Sequence, residues 1–146
     1  MHSFHAYCDM TNGGYTVIQR RVNGELSFAR NWAKYREGFG SVNGSRSEHW
    51  LGLEAIHLLT TYCGLSRIRF DLHFCQDGSL AYEDYAHFMV GNEASGYRLS
   101  IAGASGPAGD GFVLPVLRYT PDGMAFSTRD RDQDKSALNC ARTYGA

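Results

Sequence analysis

The sequence holds almost no excess charge, no long apolar run and no paired cysteine spacing, and each shortage removes a class of function. Its 14 Lys and Arg stand against 15 Asp and Glu, a formal net charge of -1, so nothing draws it to nucleic acid or to an anionic membrane. No apolar stretch approaches the roughly 20 residues needed for a membrane span. The four cysteines, Cys8, Cys63, Cys75 and Cys140, show no zinc-type C-x-x-C spacing, and their three possible pairings stay open. Met1 to Met10 holds no apolar leader, so the protein is either cytosolic or lacks its true beginning. No internal repeat and no linker marks a second domain, and 146 residues are one domain's worth, enough to bury a core.

What is present describes a loop-rich fold pinned by large rings, with 17 glycines, 13% aromatic and 43% hydrophobic residues. After a turn at Asn12-Gly13-Gly14, Tyr15 to Val22 reads as a strand, and Asn23-Gly24 turns the backbone again. Phe28, Trp32, Tyr35 and Phe39 recur at helical spacing, with Ser27 as the expected cap and Gly38 as the stop. A second helix is expected over Leu53 to Thr60. Arg67 to Phe74 alternates, predicting Ile68, Phe70, Leu72 and Phe74 on a buried face and Arg67, Arg69, Asp71 and His73 on a wet one. Gln76-Asp77-Gly78-Ser79 turns into a strand over Leu80 to Tyr85, and Tyr97, Leu99 and Ile101 give another. Ala102 to Gly111 reads as a small-residue loop able to lie against another backbone. The order of these pieces predicts an α+β domain, mainly antiparallel.

Near the end, Asp130, Asp132 and Asp134 alternate with Arg131 and Gln133, and Asn139-Cys140 follows. In extended or looping backbone, side chains two apart share a side, and carboxylates held together suit a hard cation, calcium first. The plain alternative is a solvated acidic turn softened by Arg129, Arg131 and Lys135. An EF-hand is excluded on spacing: counting from Asp130 puts Lys135 at the turn glycine and Ala141 at the bidentate glutamate. Counting from Asp132 puts Ala137 and Thr143 there. Separately, Asn43-Gly44-Ser45 is a glycosylation acceptor triplet for a secreted protein.

Several stretches, taken in order, resemble the fibrinogen C-terminal-type, or fibrinogen-related, domain family. Tyr7-Cys8-Asp9-Met10 and the run Gly13 to Arg21 resemble its opening, with Tyr15 where the family usually has tryptophan. Trp32 to Gly40, Glu48 to Leu53, Ile56 to Thr60, Tyr97-Arg98-Leu99 and Ala108-Gly109-Asp110 follow in the family's order. Phe126 to Asp132 with Asn139-Cys140-Ala141 closes the likeness.

The resemblance implies a single α+β domain over 1–146, a twisted, mainly antiparallel sheet with short helices and a calcium-binding C-terminal region. It implies a structural calcium ion held by the side chains of Asp132 and Asp134, the backbone carbonyls of Ser136 and Leu138, and water, with Asp130 beside the site. Two formal charges in a loop predict an affinity of roughly 10⁻⁴ to 10⁻³ M. Members continue beyond Tyr144-Gly145-Ala146 into a segment bearing the acetyl-sugar pocket and the partner of Cys140, and the partner of Cys8 lies upstream. The resemblance therefore marks 1–146 as incomplete, and Cys8 and Cys140 as half-cystines with partners outside it. Cys63 and Cys75 fall outside the family pattern. A strand of roughly 26 Å between them, against a disulfide's reach of about 7 Å, disfavours their pairing, and a buried free thiol is the expectation for each.

For function, the resemblance implies a secreted, non-enzymatic recognition module that binds acetylated glycans or extracellular and cell-surface proteins with calcium. Oligomerisation would run through regions outside these residues. Its alternative is a matrix or receptor-ligand module of tenascin, angiopoietin or fibrinogen type, toward which Trp50-Leu51-Gly52-Leu53-Glu54 leans. An enzyme is the third class. His49, His57, His73, His87 and Ser127 offer candidate groups, but none stands in a triad order or motif.

Overall fold

The computed structural model describes residues 3–11, 13–112 and 120–144. Its elements are β1 (Tyr7–Asp9), β2 (Tyr15–Val17), β3 (Gln19–Arg20), α1 (Trp32–Glu37), β4 (Phe39–Gly40), β5 (His49–Trp50), α2 (Leu53–Tyr62), β6 (Ile68–His73), β7 (Leu80–Val90), β8 (Leu99–Ser105) and α3 (Cys140–Tyr144), with a 3-10 turn at Glu93–Ser95. The strand pairs are antiparallel throughout, as the α+β expectation has it. The protein divides into two compact units, one of residues 1–56 with 127–146 and one of 57–126.

In the first unit the strands are short. β1 pairs with β2, and β5 lies between β3 and β4. The single strand expected over Tyr15 to Val22 is split at Ile18 into β2 and β3, and Asn12 of the preceding turn lies outside the described residues. The Ile18 carbonyl accepts the Leu51 N–H at 2.8 Å.

Helix α1 begins later than the aromatic spacing predicts. Asn31, not Ser27, is its cap: the Asn31 Oδ1 accepts the Lys34 N–H at 3.1 Å, the usual way to satisfy an orphan donor. Ser27 instead accepts the Ala29 N–H at 3.3 Å. Gly38 ends the helix at a φ of 97°, its N–H returning to Lys34 O at 2.8 Å. Phe28 sits outside the helix yet inside the aromatic cluster, 4.9 Å edge-on from Phe39, which lies 5.2 Å from Tyr35. Trp50 closes the group, its Nε1–H donating to the Tyr35 carbonyl while the Tyr35 hydroxyl donates to Phe28 O, each at 2.8 Å. Burial pushes the Tyr35 phenol above its ordinary pKa.

Glu48, only 9% exposed, organises the segment after β3. Its Oε1 accepts the N–H groups of Val22, Asn23 and Gly24, and its Oε2 that of Leu26, at 2.7 to 3.0 Å. Those backbone donors hold the carboxyl down at about 2. Gly40 sits so near the same place that a Cβ would lie 2.3 Å from Glu48 O, at a φ of +88°; only glycine fits.

In the second unit β7 runs between β6 and β8. The hairpin pairs Ile68 with Tyr85 and His73 with Leu80, and its turn is closed by Phe74 N–H to Ser79 O and Asp77 Oδ1 accepting Ser79 N–H, both at 2.9 Å. The one-face-buried expectation for Arg67 to Phe74 holds only at its start. Ile68 is buried and Phe70 packs on Tyr85 and Phe112, but Leu72 is 43% and Phe74 49% exposed. The reason lies in what covers that side: residues 106–112 reach it beside Tyr82, Glu83 and Tyr85, whereas Leu72 and Phe74 lie toward the turn, opposite Ala81 and Ser79. Strand β7 itself runs to Val90 rather than Tyr85 and changes its buried side on the way. Glu83 and Tyr85 are buried on odd positions, Phe88 and Val90 on even ones.

The odd side is covered by residues 106–112 folding back. Ala108 N–H reaches Tyr82 O at 3.1 Å, Gly109 N–H reaches Glu83 Oε2 at 3.0 Å, and the Tyr85 hydroxyl reaches Asp110 at 2.9 Å. Burial, then the bond to Asp110, raises the Tyr85 pKa. The expected close-lying loop is therefore real from Gly106, whose Cβ would lie 2.5 Å from Tyr82 O. Ala102 to Ser105, however, belong to β8. The second half of α2 serves the Val90 end, where His57 Nδ1 donates to Val90 O at 2.8 Å and Thr60 Oγ1 accepts Val90 N–H at 3.2 Å. Tyr97 precedes β8 with a φ of 50° instead of lying in it.

Candidate functional site

The acidic run forms a series of turns, each closed by a side group, after a tight bridge. In that bridge Thr128 N–H donates to Arg131 O at 2.9 Å and Arg131 N–H to Thr128 O at 3.1 Å. Thr128 is fully buried, and Ser127 Oγ accepts Gln133 N–H at 2.9 Å. The three alternating aspartates do not share one task. Asp130 Oδ1 accepts the Trp32 N–H at 2.9 Å and the Thr128 hydroxyl at 2.8 Å, so it tethers the start of α1. Those bonds, the Thr128 hydroxyl first, hold its carboxyl below the usual range. Arg131 lies over the Trp32 ring, 3.9 Å from its centroid.

Asp132 is exposed and Asp134 half-buried. Asp132 Oδ1 accepts Asp134 N–H at 3.2 Å. Asp134 Oδ1 and Oδ2 accept the N–H groups of Ser136 and Cys140, each at 2.8 Å. These two backbone donors, Cys140 first, lower the Asp134 pKa, so the group is anionic near neutrality. Ser136 Oγ accepts Leu138 N–H at 3.2 Å, and Asn139 Oδ1 accepts Arg142 N–H at 2.8 Å.

Among the described residues no group of three or more His, Cys, Asp or Glu stands close enough to hold a metal. A three-carboxylate site is therefore not formed, and Asp130 is engaged elsewhere. Asp132 and Asp134 bring two carboxylates two residues apart into this turn series, and carboxylate oxygens are the donor type that calcium takes. Neither is the imidazole or thiolate that zinc prefers.

All four cysteines are free and exposed. This corrects the expectation of buried thiols at Cys63 and Cys75: the first lies just past α2, among exposed residues, the second in the β6–β7 turn. The histidines are structural in their contacts. His49, 1% exposed, donates from Nε2 to Val17 O at 2.9 Å, His57 serves Val90, and His87 Nε2 lies 2.8 Å from Ser100 Oγ. His73 is exposed, as its place on β6 predicts. Sequence reasoning misses the anchoring roles of Glu48 and Asp130. A lone glutamate carries no periodic signal, and the spacing of Asp130 suggests a shared ion instead of a helix tether.

Among the described residues no helix is long and apolar enough to cross a membrane. The family model for fibrinogen beta and gamma chains, C-terminal globular domain, matches residues 1–146. The protein is 45% identical to mouse (Mus musculus) Fibrinogen C domain-containing protein 1 over 97% of its own length and 30% of that relative. It is 46% identical to bovine (Bos taurus) Angiopoietin-4 over 93% of itself and 26% of that relative. It thus spans less than a third of either curated relative. Among solved structures, lamprey fibrin D-dimer, complexed with the peptide Gly-His-Arg-Pro-amide, superposes with a TM-score of 0.86. The identity there is 39%, with 97% of this protein and 47% of the lamprey one covered.

Proposed function

This protein belongs to the family of the C-terminal globular domains of fibrinogen beta and gamma chains, and from that membership we propose that it is an extracellular recognition module whose ligand is a protein or peptide. Domains of this family recognise and assemble; the protein is not an enzyme. The order of readings implied by the resemblance, calcium-dependent binding of acetylated glycans or proteins first and a matrix or receptor-ligand module second, is reversed here. The supporting observation is the likeness to a fibrin fragment solved with a peptide ligand, together with Angiopoietin-4 among the relatives. Binding of acetylated glycans stays the second reading, and it rests on the family resemblance alone.

In this proposal calcium is structural. The carboxylates of Asp132 and Asp134 and the carbonyls of Ser136 and Leu138 are the groups that would hold it. When bound, the ion supplies positive charge against two carboxylates that otherwise repel. The protein's own part is to keep Asp134 ionised and oriented through the N–H groups of Ser136 and Cys140.

The deciding experiment presents the full-length protein to an array of extracellular proteins and peptides and to an array of acetylated glycans, each with calcium and with chelator. Capture of a protein or peptide is the expected result. Capture of glycans alone would install the lectin reading. Calorimetric titration checks the ion separately: uptake in the sub-millimolar to millimolar range is expected, and abolished by Asp132→Ala. No uptake by the unaltered protein sinks the calcium assignment without touching the choice of ligand.

A further inference from the structure

We infer that Asn43 is an N-glycosylation site, its side-group amide carrying an oligosaccharide off the tip of the β4–β5 hairpin. The inference rests on the extracellular reading, because the donor, a lipid-diphosphate-linked oligosaccharide, is met in the secretory pathway.

The triplet Asn43-Gly44-Ser45 alone is weak evidence; the way the structure uses its asparagines is stronger. Asn23 Oδ1 accepts Glu25 N–H at 3.1 Å, Asn31 caps α1, Asn92 caps the Glu93–Ser95 turn, and Asn139 holds the first turn of α3. The side group of Asn43 makes no such bond among the described residues. It is the described asparagine without a folding task.

Its surroundings suit a bulky adduct. The hairpin closes with the Gly40–His49 pair and Ser41 N–H to Glu48 O at 3.1 Å, and Asn43, Gly44, Ser45 and Arg46 beyond it are all exposed. Gly44 has a φ of +93° and open space for 4 Å around a notional Cβ. The backbone there is held, so the attachment point is defined. Asn43 N–H donates to Ser41 Oγ at 3.3 Å, Ser47 Oγ donates to Asn43 O, and the Arg20 guanidinium donates to Gly44 O at 3.0 Å. These bonds engage the backbone of Asn43 and Gly44 and leave the acceptor amide unclaimed.

In the transfer, a bond forms between Asn43 Nδ2 and the anomeric carbon of the first sugar as that carbon's bond to the diphosphate oxygen breaks. The diphosphate departs with the bonding pair, and Nδ2 releases one proton. A glycan there keeps the hairpin tip out of any protein interface, leaving partner contact to other surfaces.

The test is expression of the full-length protein in animal cells behind its own N-terminal segment, with a C-terminal tag bearing a second, known acceptor triplet. Intact-mass analysis follows, before and after peptide-N-glycosidase. The expected result is an Asn43 peptide converted to Asp by the enzyme, its glycan lost in Ser45→Ala and Asn43→Gln and occupancy raised in Ser45→Thr. A tag that is modified while Asn43 is bare overturns the site and leaves the extracellular reading standing. A tag and an Asn43 that are both bare overturn the two together. Ser45→Ala, an exposed change far from the core, guards against a variant that merely fails to fold.

Discussion

The two compact units of this protein are built by different means. Residues 57–126 rest on a regular ladder, with β7 paired on both edges. The unit of residues 1–56 and 127–146 has strands of two or three residues. Its order comes from single side groups reaching backbone: Glu48 to four N–H groups, Asp130 to Trp32, Trp50 to Tyr35 and Tyr35 to Phe28. A ladder spreads its stability over many equivalent bonds. A tethered loop concentrates it in a few residues, each hard to replace.

That contrast can be broken or sharpened by substitution. The largest effect is expected from Tyr85→Ala, which removes the ring that packs on both Phe70 and Phe112; denaturant unfolding is expected to lose about 4 kcal/mol. Next comes Gly40→Ala in the tethered unit, where a methyl meets backbone at 2.3 Å, expected to cost about 3 kcal/mol although only one carbon is added.

Acid then separates the units. Because Glu48 has its pKa lowered from 4.5 to about 2, its contribution is fully present above the upper value and lost as pH falls toward the lower. Asp130 and Asp134 are shifted in the same direction. Amide exchange at Val22, Asn23, Gly24 and Leu26, measured relative to the β6–β7 pairs away from the Asp77 turn, whose carboxyl pKa is lowered by Ser79 as well, is expected to quicken across that window. Equal behaviour of ladder and loop would mean that Glu48 is not the tether. Asp130→Ala is expected to cost about 1 kcal/mol, as loss of a helix cap does, and to loosen the first turn of α1. Smallest is Leu72→Ser: stability within about 0.5 kcal/mol of the parent, because the residue is already 43% exposed. A large loss there would restore the inward reading of the strand.

The same contrast explains what the residues alone reveal. Helix α2, the β6–β7 turn and the start of β6 follow from periodicity and turn chemistry, which are local. The change of buried side between Tyr85 and Phe88 is not local: it depends on which segment covers which half of the sheet. The late start of α1 turns on Asn31 and on Asp130, a residue distant in sequence. At the acidic run, alternation brings out the right oxygens but not their division of labour, because spacing does not say that one aspartate is claimed by a helix. For Cys63 and Cys75, residue type suggests burial, yet both fall at element ends, where little packs over them.

A strand that hands its hidden side from odd to even positions has no outer surface running its full length. Anyone fixing a dye, a spin label or a tether to β7 finds vacant lots only at scattered addresses. Leu80 and Met89, 77% and 42% exposed, are two of them, on opposite parities and near opposite ends. Labels at that pair report on the same strand from opposite sides of the sheet, a vantage that an ordinary half-wet strand does not offer.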